Sequence, residues 1–255
     1  MENILFEQKG RVGYVTVNRP GALNALNSRT LRELSGLLDE VEQNDGIAVV
    51  ILSGAGGRAF VAGADISEMQ TITPMEAVEF SLLGQRVFNK IEKSRKVFLA
   101  AINGFALGGG CELAMACDIR VASEKSRLGQ PEARLGVIPG FAGTQRLPRL
   151  VGKGLAKELL YTCEPISAVR AREIGLVNHV VPEDALIAFC EQLAEKILKN
   201  SPMAVTACKL AVDEGLEMDF DKGQAHEAAL FGLCFSHPEQ REGMTAFLEK
   251  RKPNF

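Results

Sequence analysis

The chain has no CxxC pair among its six cysteines, at positions 111, 117, 163, 190, 208 and 234, and its three histidines are widely spread. No spacing suits a metal site, so reduced thiols and no bound metal are expected. There is little excess of either charge. With 29 Lys and Arg against 32 Asp and Glu the net charge is −3, and the pI is near 5.8. That argues against a broad electrostatic surface for nucleic acid, while leaving room for a local site that takes a polyanionic ligand. The opening MENILFEQKG is too polar for a signal peptide, and the longest apolar run, ending at Ile102, is too short to span a bilayer. A cytoplasmic protein with no membrane partner is expected. Low-complexity segments and strict short repeats are also missing. What remains is an ordinary composition, 46% hydrophobic and 24% charged over 255 residues, long enough to bury a large core.

One stretch stands out, VFLAAINGFALGGGCELAMACDIRVASEKSRLGQPEARLGVIPG from Val97 to Gly140. Val97 to Ile102 is an apolar run of strand length, Asn103 and Gly104 break it, and Gly108, Gly109 and Gly110 lead into an apolar segment, Cys111 to Cys117. The spacing predicts strand, loop and a buried helix whose N-terminus lies at the glycines. Glu112 is the anomaly in that helix, because a buried carboxylate costs free energy unless it is hydrogen-bonded or paired. Free N–H groups at a helix start, approached closely through glycine, suit the loop around Gly109 to an oxyanion. A second carboxylate, Glu132, follows in LGQPEARLG between Gly129, Pro131 and Gly136, and makes a candidate pair with Glu112. Read singly, Glu112 is a partner for the helix dipole and Glu132 a solvated loop acid. Cys111 beside Glu112 reads as a small buried side chain, since no histidine is near it in sequence.

In chain order, GYVTVN from Gly13 reads as a strand stopped by Arg19-Pro20-Gly21. Leu31, Leu34, Leu38 and Val41 have helical spacing, and Ile47 to Leu52 is strand-like. A glycine-rich segment, Ser53 to Met69, precedes a helix started by Pro74 and a capping box of Thr73 and Glu76, running to about Lys93. Asp118 to Ala122 is a further strand, and Leu155–Tyr161 and Val169–Ile174 are helical. From Pro182 the pattern is helical alone: Ala185–Lys199, Pro202–Glu214, Asp221–Phe235 and Pro238–Lys250, with Ser201 and Ser236 as caps and a capping box between Ser236 and Glu239. These last helices carry Leu, Phe and Met on more than one face, which suggests cover by other subunits.

The motifs NRPGALNALN from Asn18, AFVAGADISEM from Ala59, AAINGFALGGGCELAMACDIRVAS from Ala100, LGQPEARLGVIPGFAGTQRLPRLVG from Leu128 and AREIGLVNHVV from Ala171 resemble, nearly end to end, the enoyl-CoA hydratase or crotonase superfamily. The resemblance is greatest to its short-chain enoyl-CoA hydratases. It implies an α/β fold: a crotonase-like spiral of repeated strand-strand-helix units with the active site over residues 1–195, then a C-terminal helical trimerisation region over 196–255. It also implies a homohexamer built as a dimer of trimers. The implied reaction is reversible syn hydration of a 2-trans-enoyl-CoA to a 3-hydroxyacyl-CoA, on an acyl-CoA thioester and with no cofactor. By matching motif positions, Ala64 and Gly109 supply the backbone N–H groups of the oxyanion hole. Glu112 and Glu132 are the acid/base pair, and Ala62, Asp65 and Ile66 line the coenzyme A pocket. Two departures stand out: Lys96-Val97 where the family often has Lys-Pro, and Gly140-Phe141-Ala142-Gly143 in place of a more glycine-rich run. Phe141 is expected to narrow the acyl pocket.

Two other classes were weighed. Gly54, Gly56 and Ala59 fit G-x-G-x-x-A after a strand, the start of a dinucleotide fold, yet Arg58 to Asp65 has no helical periodicity where a helix should open. Some superfamily members bind RNA, and the acidic pI argues against that as the main role.

Overall fold

The computed structural model describes residues 1–255. Backbone packing divides them into two compact units, Met1–Glu191 and Gln192–Phe255. The first runs β1 (Ile4–Lys9), β2 (Val12–Val17), α1 (Ser28–Gln43), β3 (Val49–Gly54), β4 (Ala59–Val61), α2 (Ile66–Met69), α3 (Pro74–Glu92), β5 (Val97–Ile102) and β6 (Phe105–Leu107). It continues with α4 (Gly109–Ala116), β7 (Ile119–Ser123), β8 (Arg127–Gly129), α5 (Gly143–Val151), α6 (Lys153–Thr162), β9 (Ile166–Ser167), α7 (Ala168–Glu173) and β10 (His179–Val181), before α8 (Leu186–Leu198). The second unit holds α9 (Pro202–Gly215), α10 (Phe220–Cys234) and α11 (Pro238–Leu248).

Two sheets organise the first unit. The larger has the order β1-β2-β3-β5-β7-β10 and the smaller β4-β6-β8-β9. Successive strand pairs β3/β4, β5/β6 and β7/β8 therefore each give one strand to the large sheet and one to the small, which is the strand-strand-helix spiral. Within the large sheet β2, β3, β5, β7 and β10 are parallel, and only β1 is antiparallel to its neighbour. Both faces of β5 are covered, so its sequence VFLAAI is a continuous apolar run and every residue is buried. The edge strand β1 buries only Ile4, and that sparse pattern hid it from the sequence reading.

The parallel register of the small sheet positions everything that follows. Val61 pairs with Ala106, and Leu107 with Gly129. The chain leaves the same end of three neighbouring strands at Ala62, Gly108 and Gln130, and the Gly108 N–H donates to Gly129 O at 2.9 Å.

The helices follow their local signals. Asn27 caps α1 by accepting from the Thr30 N–H, and the helix buries Leu31, Leu34, Leu38 and Val41 as spaced. Thr73 and Glu76 form the expected capping box on α3 with Pro74 in its first turn. Ser201 caps α9.

One expectation needs correction, one exclusion holds, and one helix had no sequence signal. Ser236 and Glu239 make no capping box. His237 is the cap of α11 and lacks a side-chain bond, while Ser236 Oγ donates to Leu233 O at 2.7 Å. Glu239 instead accepts from Ser201 Oγ at 2.5 Å and from the Met203 N–H at 3.1 Å, so a tertiary partner takes the carboxylate that the local motif would use. The exclusion of a dinucleotide fold holds, because β4 opens at Ala59 where that motif needs a helix. Finally α5 was not anticipated, since Gly143 begins it and Pro148 lies inside it, both unfavourable to a helix taken locally. No helix is long and apolar enough to cross a membrane.

Candidate active site

α4 begins where β6 ends, and its glycines are set by neighbours. Gly108 has φ +50° and ψ −122°, a conformation disfavoured for residues with a side chain, and a Cβ there would stand 2.5 Å from Glu132 Oε1. A Cβ at Gly110 would overlap the Val61 carbonyl, so glycine is what lets the helix lie directly on β4. A Cβ at Gly109 would be 3.4 Å from the Ala64 nitrogen. The two backbone positions singled out in different motifs are thus neighbours in space. As the first residue of α4, Gly109 has no intrahelical acceptor for its N–H. The segment that carries Ala64 is held by Leu26 on either side: the Leu26 N–H donates to Gly63 O and the Asp65 N–H to Leu26 O, both at 2.8 Å. The Ala64 N–H takes no part in that bridge.

All of α4 is buried, and Glu112 is 1% exposed. Its Oε1 accepts two backbone bonds from the loop before α5, from the Phe141 N–H at 2.8 Å and the Gly143 N–H at 2.6 Å. The loop turns through Ala142 at φ +76°. Glu132 opens a short 3-10 turn, Glu132–Leu135, and is half-buried. Gln130, 1% exposed, donates its amide to Glu132 Oε1 and Oε2 at 2.9 and 3.0 Å in the orientation that satisfies both ends of the amide.

Burial, reinforced by the charge of Glu132, pushes the Glu112 carboxyl up to about 8, against the pull of the Gly143 and Phe141 N–H groups and of Arg146. Burial likewise pushes Glu132 up to about 7. Two carboxyls raised in this way resist being ionised together. Desolvation here does chemical work, because it moves both groups from permanent anions into the range of useful acids and bases.

Glu112, Glu132, Ala64 and Gly109 all face one cavity of about 700 Å3, which Ala62 and Ile66 also line. Its wall is otherwise largely apolar, with Leu82, Leu135, Ile138 and Phe141. Asp65 is placed differently. Its carboxylate pairs with Arg19 at 2.9 Å and accepts from the Ser67 N–H and Oγ at 3.2 and 2.6 Å, capping α2. The Ser67 hydroxyl, with help from Arg19, holds it below the usual carboxylate range. It does not line the cavity. No group of three or more His, Cys, Asp or Glu stands where it could share a metal ion. The sequence reading missed Gln130 and the loop N–H groups. Gln130 had only a slight signal, an amide between Gly129 and Pro131 just past the end of β8; backbone donors have none.

Residues 7–255 match the family model described as Enoyl-CoA hydratase/isomerase. The chain is 51% identical to the short-chain-enoyl-CoA hydratase of Clostridium acetobutylicum, over 99% of this chain and 97% of that one. It is also 51% identical to the crotonyl-CoA hydratase of Syntrophomonas wolfei, over 100% and 98%. Among solved structures, the enoyl-CoA hydratase of Bacillus anthracis superposes with a TM-score of 0.96 at 40% identity, covering 99% of this chain and 98% of that one. With the fold, the cavity and these full-length likenesses in agreement, the chain belongs to the enoyl-CoA hydratase/isomerase family.

Proposed function

We propose that the protein reversibly adds water, syn, across the double bond of short-chain 2-trans-enoyl-CoA thioesters such as crotonyl-CoA, giving 3-hydroxyacyl-CoA. The observation that carries the reading is the pair of raised carboxyls, Glu112 and Glu132, sharing one cavity with the adjacent backbone positions Ala64 and Gly109. Attack of water at the third carbon moves charge onto the thioester oxygen. The Ala64 and Gly109 N–H groups receive that oxygen, and each preorganised donor of this kind is worth about 3 kcal/mol. The Glu112 carboxylate takes a proton from the attacking water while Glu132 gives its proton to the second carbon. Hydration thus ends with Glu132 ionised, its proton on the second carbon, and Glu112 protonated by the proton that water lost, which is the state from which dehydration starts. A pair holding a single proton therefore serves either direction, according to which carboxyl carries it.

The Phe141 ring supports a preference for short acyl chains. It is 3% exposed, it forms part of the cavity wall, and a Cβ at Gly109 would meet it at 3.1 Å, so it fills space close to the reacting carbons. We assign the catalytic core to residues 1–195 and assembly, as a hexamer of two trimers, to 196–255. We also place the protein in the cytoplasm. The test is direct: purified protein mixed with crotonyl-CoA, without added metal or nucleotide, is expected to remove the conjugated enoyl absorbance. Persistence of that absorbance with folded protein would rule the reading out.

A further inference from the structure

α5 carries a cation into the interior. Arg146 is 7% exposed, and all three nitrogens of its guanidinium donate hydrogen bonds. Nε and Nη2 donate to Glu92 Oε1 and Oε2 at 3.2 and 2.8 Å, a bidentate fork. Nη2 also donates to Asn89 Oδ1 at 2.7 Å, and Nη1 to Phe141 O at 3.0 Å. The carbonyl that Arg146 holds thus belongs to the residue whose own N–H holds Glu112. Only the Arg146 end of this ion pair is buried, the Glu92 side chain being 39% exposed, and burying a cation costs free energy that its partners must offset.

The two side-chain partners of Arg146, Asn89 and Glu92, lie on one face of α3. Ser81, Gly84, Gln85, Phe88, Asn89 and Glu92 recur at helical spacing, and all of them serve the same loop. Ser81 Oγ and Gln85 Nε2 donate to Gly140 O at 2.5 and 3.0 Å. Gly84 leaves the space that the Phe141 ring occupies, and Phe88 meets that ring edge-on at 5.4 Å.

We infer that Arg146, paired with Glu92, is a positioning residue: it fixes the loop donors on Glu112 and sets the electric field in which that carboxyl works. The inference rests on the reading of Glu112 as an acid/base group. The charged groups facing Glu112 are Glu132 from the turn after β8, Arg146 from α5 and, behind Arg146, Glu92 of α3. β4 and β6 contribute none, being AFV and FAL. Cys111, next to it on α4, is pushed up to about 12 by burial and by the nearby carboxylates, and stays neutral. Arg146 opposes the effects of burial and of Glu132 on Glu112.

Arg146→Gln and Glu92→Gln break the same ion pair but alter the local charge in opposite senses. Profiles of kcat/KM against pH for crotonyl-CoA hydration separate positioning from simple support. They are expected to move up by about half a pH unit or more in Arg146→Gln and down by a similar amount in Glu92→Gln. Melting temperatures recorded alongside account for any general loss of stability. Profiles that stay with the wild type, or that move the same way in both variants, overturn the inference. If Arg146→Gln does not fold, Glu92→Gln decides alone: its side chain is 39% exposed, a downward shift supports the inference, and no shift overturns it. An active wild type with unmoved variants refutes this inference only. A wild type that leaves crotonyl-CoA unchanged refutes the functional reading and this inference together.

Discussion

α4 and the second unit are both rich in apolar side chains and use them in opposite ways. Every residue of Gly109–Ala116 is buried, including Glu112. From Gln192 to Phe255 only Ala194, Ala207 and Ala246 are buried, while Leu216, Phe220, Phe231, Phe247 and Leu248 are each at least 66% exposed. In the first region hydrophobicity is turned inward, where it strips water from a carboxyl and changes its acidity. In the second it is turned outward, which is the observation behind the assembly proposed above. The same class of side chain thus dries a carboxyl in one place and faces outward in the other.

The largest test of this contrast removes the buried proton carriers. Glu112→Gln and Glu132→Gln keep volume and most hydrogen bonds, and kcat for crotonyl-CoA hydration is expected to fall by about two to four orders of magnitude in each. The double variant should be little worse than either single one, because the two carboxyls act in one linked step. Glutamates that served only to satisfy the helix start and the loop would instead lower the melting temperature and leave turnover per folded molecule near normal.

A smaller effect is expected from charging the outward face. Phe231→Asp and Phe247→Asp should lower the mass measured by light scattering from that of a trimer-based assembly towards that of one subunit. A wild type that is already a single subunit at micromolar concentration would remove the assembly proposal and leave the exposed phenylalanines without an account.

The smallest effect sharpens the inward side. A carboxyl whose folded value lies above its ordinary one favours the fold while protonated. Glu112 therefore costs the wild type stability as pH rises from near 4.5, where the unfolded chain ionises, to about 8, where the folded chain does. Glu112→Gln escapes that loss. Its melting temperature should match the wild type at the acid end and exceed it by a growing margin towards the alkaline end. A gap that is constant across this range would show that Glu112 is not held at raised acidity.

The parts of this architecture that are legible in the sequence are those with local causes. VFLAAI reads as a buried strand because both its faces are covered, Thr73-Pro74 starts α3, and Glu112 stands out because nothing apolar explains it. β1 and α5 were hidden, one because an edge strand buries a single residue and the other because Gly143 and Pro148 are helical only in tertiary context. The site was legible as a set of residue types, but its assembly was not. That Ala64 lies beside Gly109 follows from strand register, and that Glu112 is held by Phe141 and Gly143 follows from a loop carried by another helix. The roles of Ala64, Gly109, Glu112 and Glu132 came from the family resemblance, and their chemistry stands as the proposal above.

The register of the small sheet has a consequence for how such a protein can change. Ala62–Ala64, Gly108–Gly109 and Gln130–Glu132 leave three adjacent strands at one level. Inserting a single residue into β6 would advance Gly109 by about 3.3 Å relative to its neighbours, farther than a hydrogen bond to a shared oxygen tolerates. Residues of the outer wall, such as Leu82, Leu135 and Ile138, sit on α3 and on loops outside that ladder, where exchange and even lengthening leave the strand ends in place. New acyl groups are therefore reached by varying the wall, while an added residue in these short strands has to be taken up by a bulge, as β4 does between Ala59 and Val61.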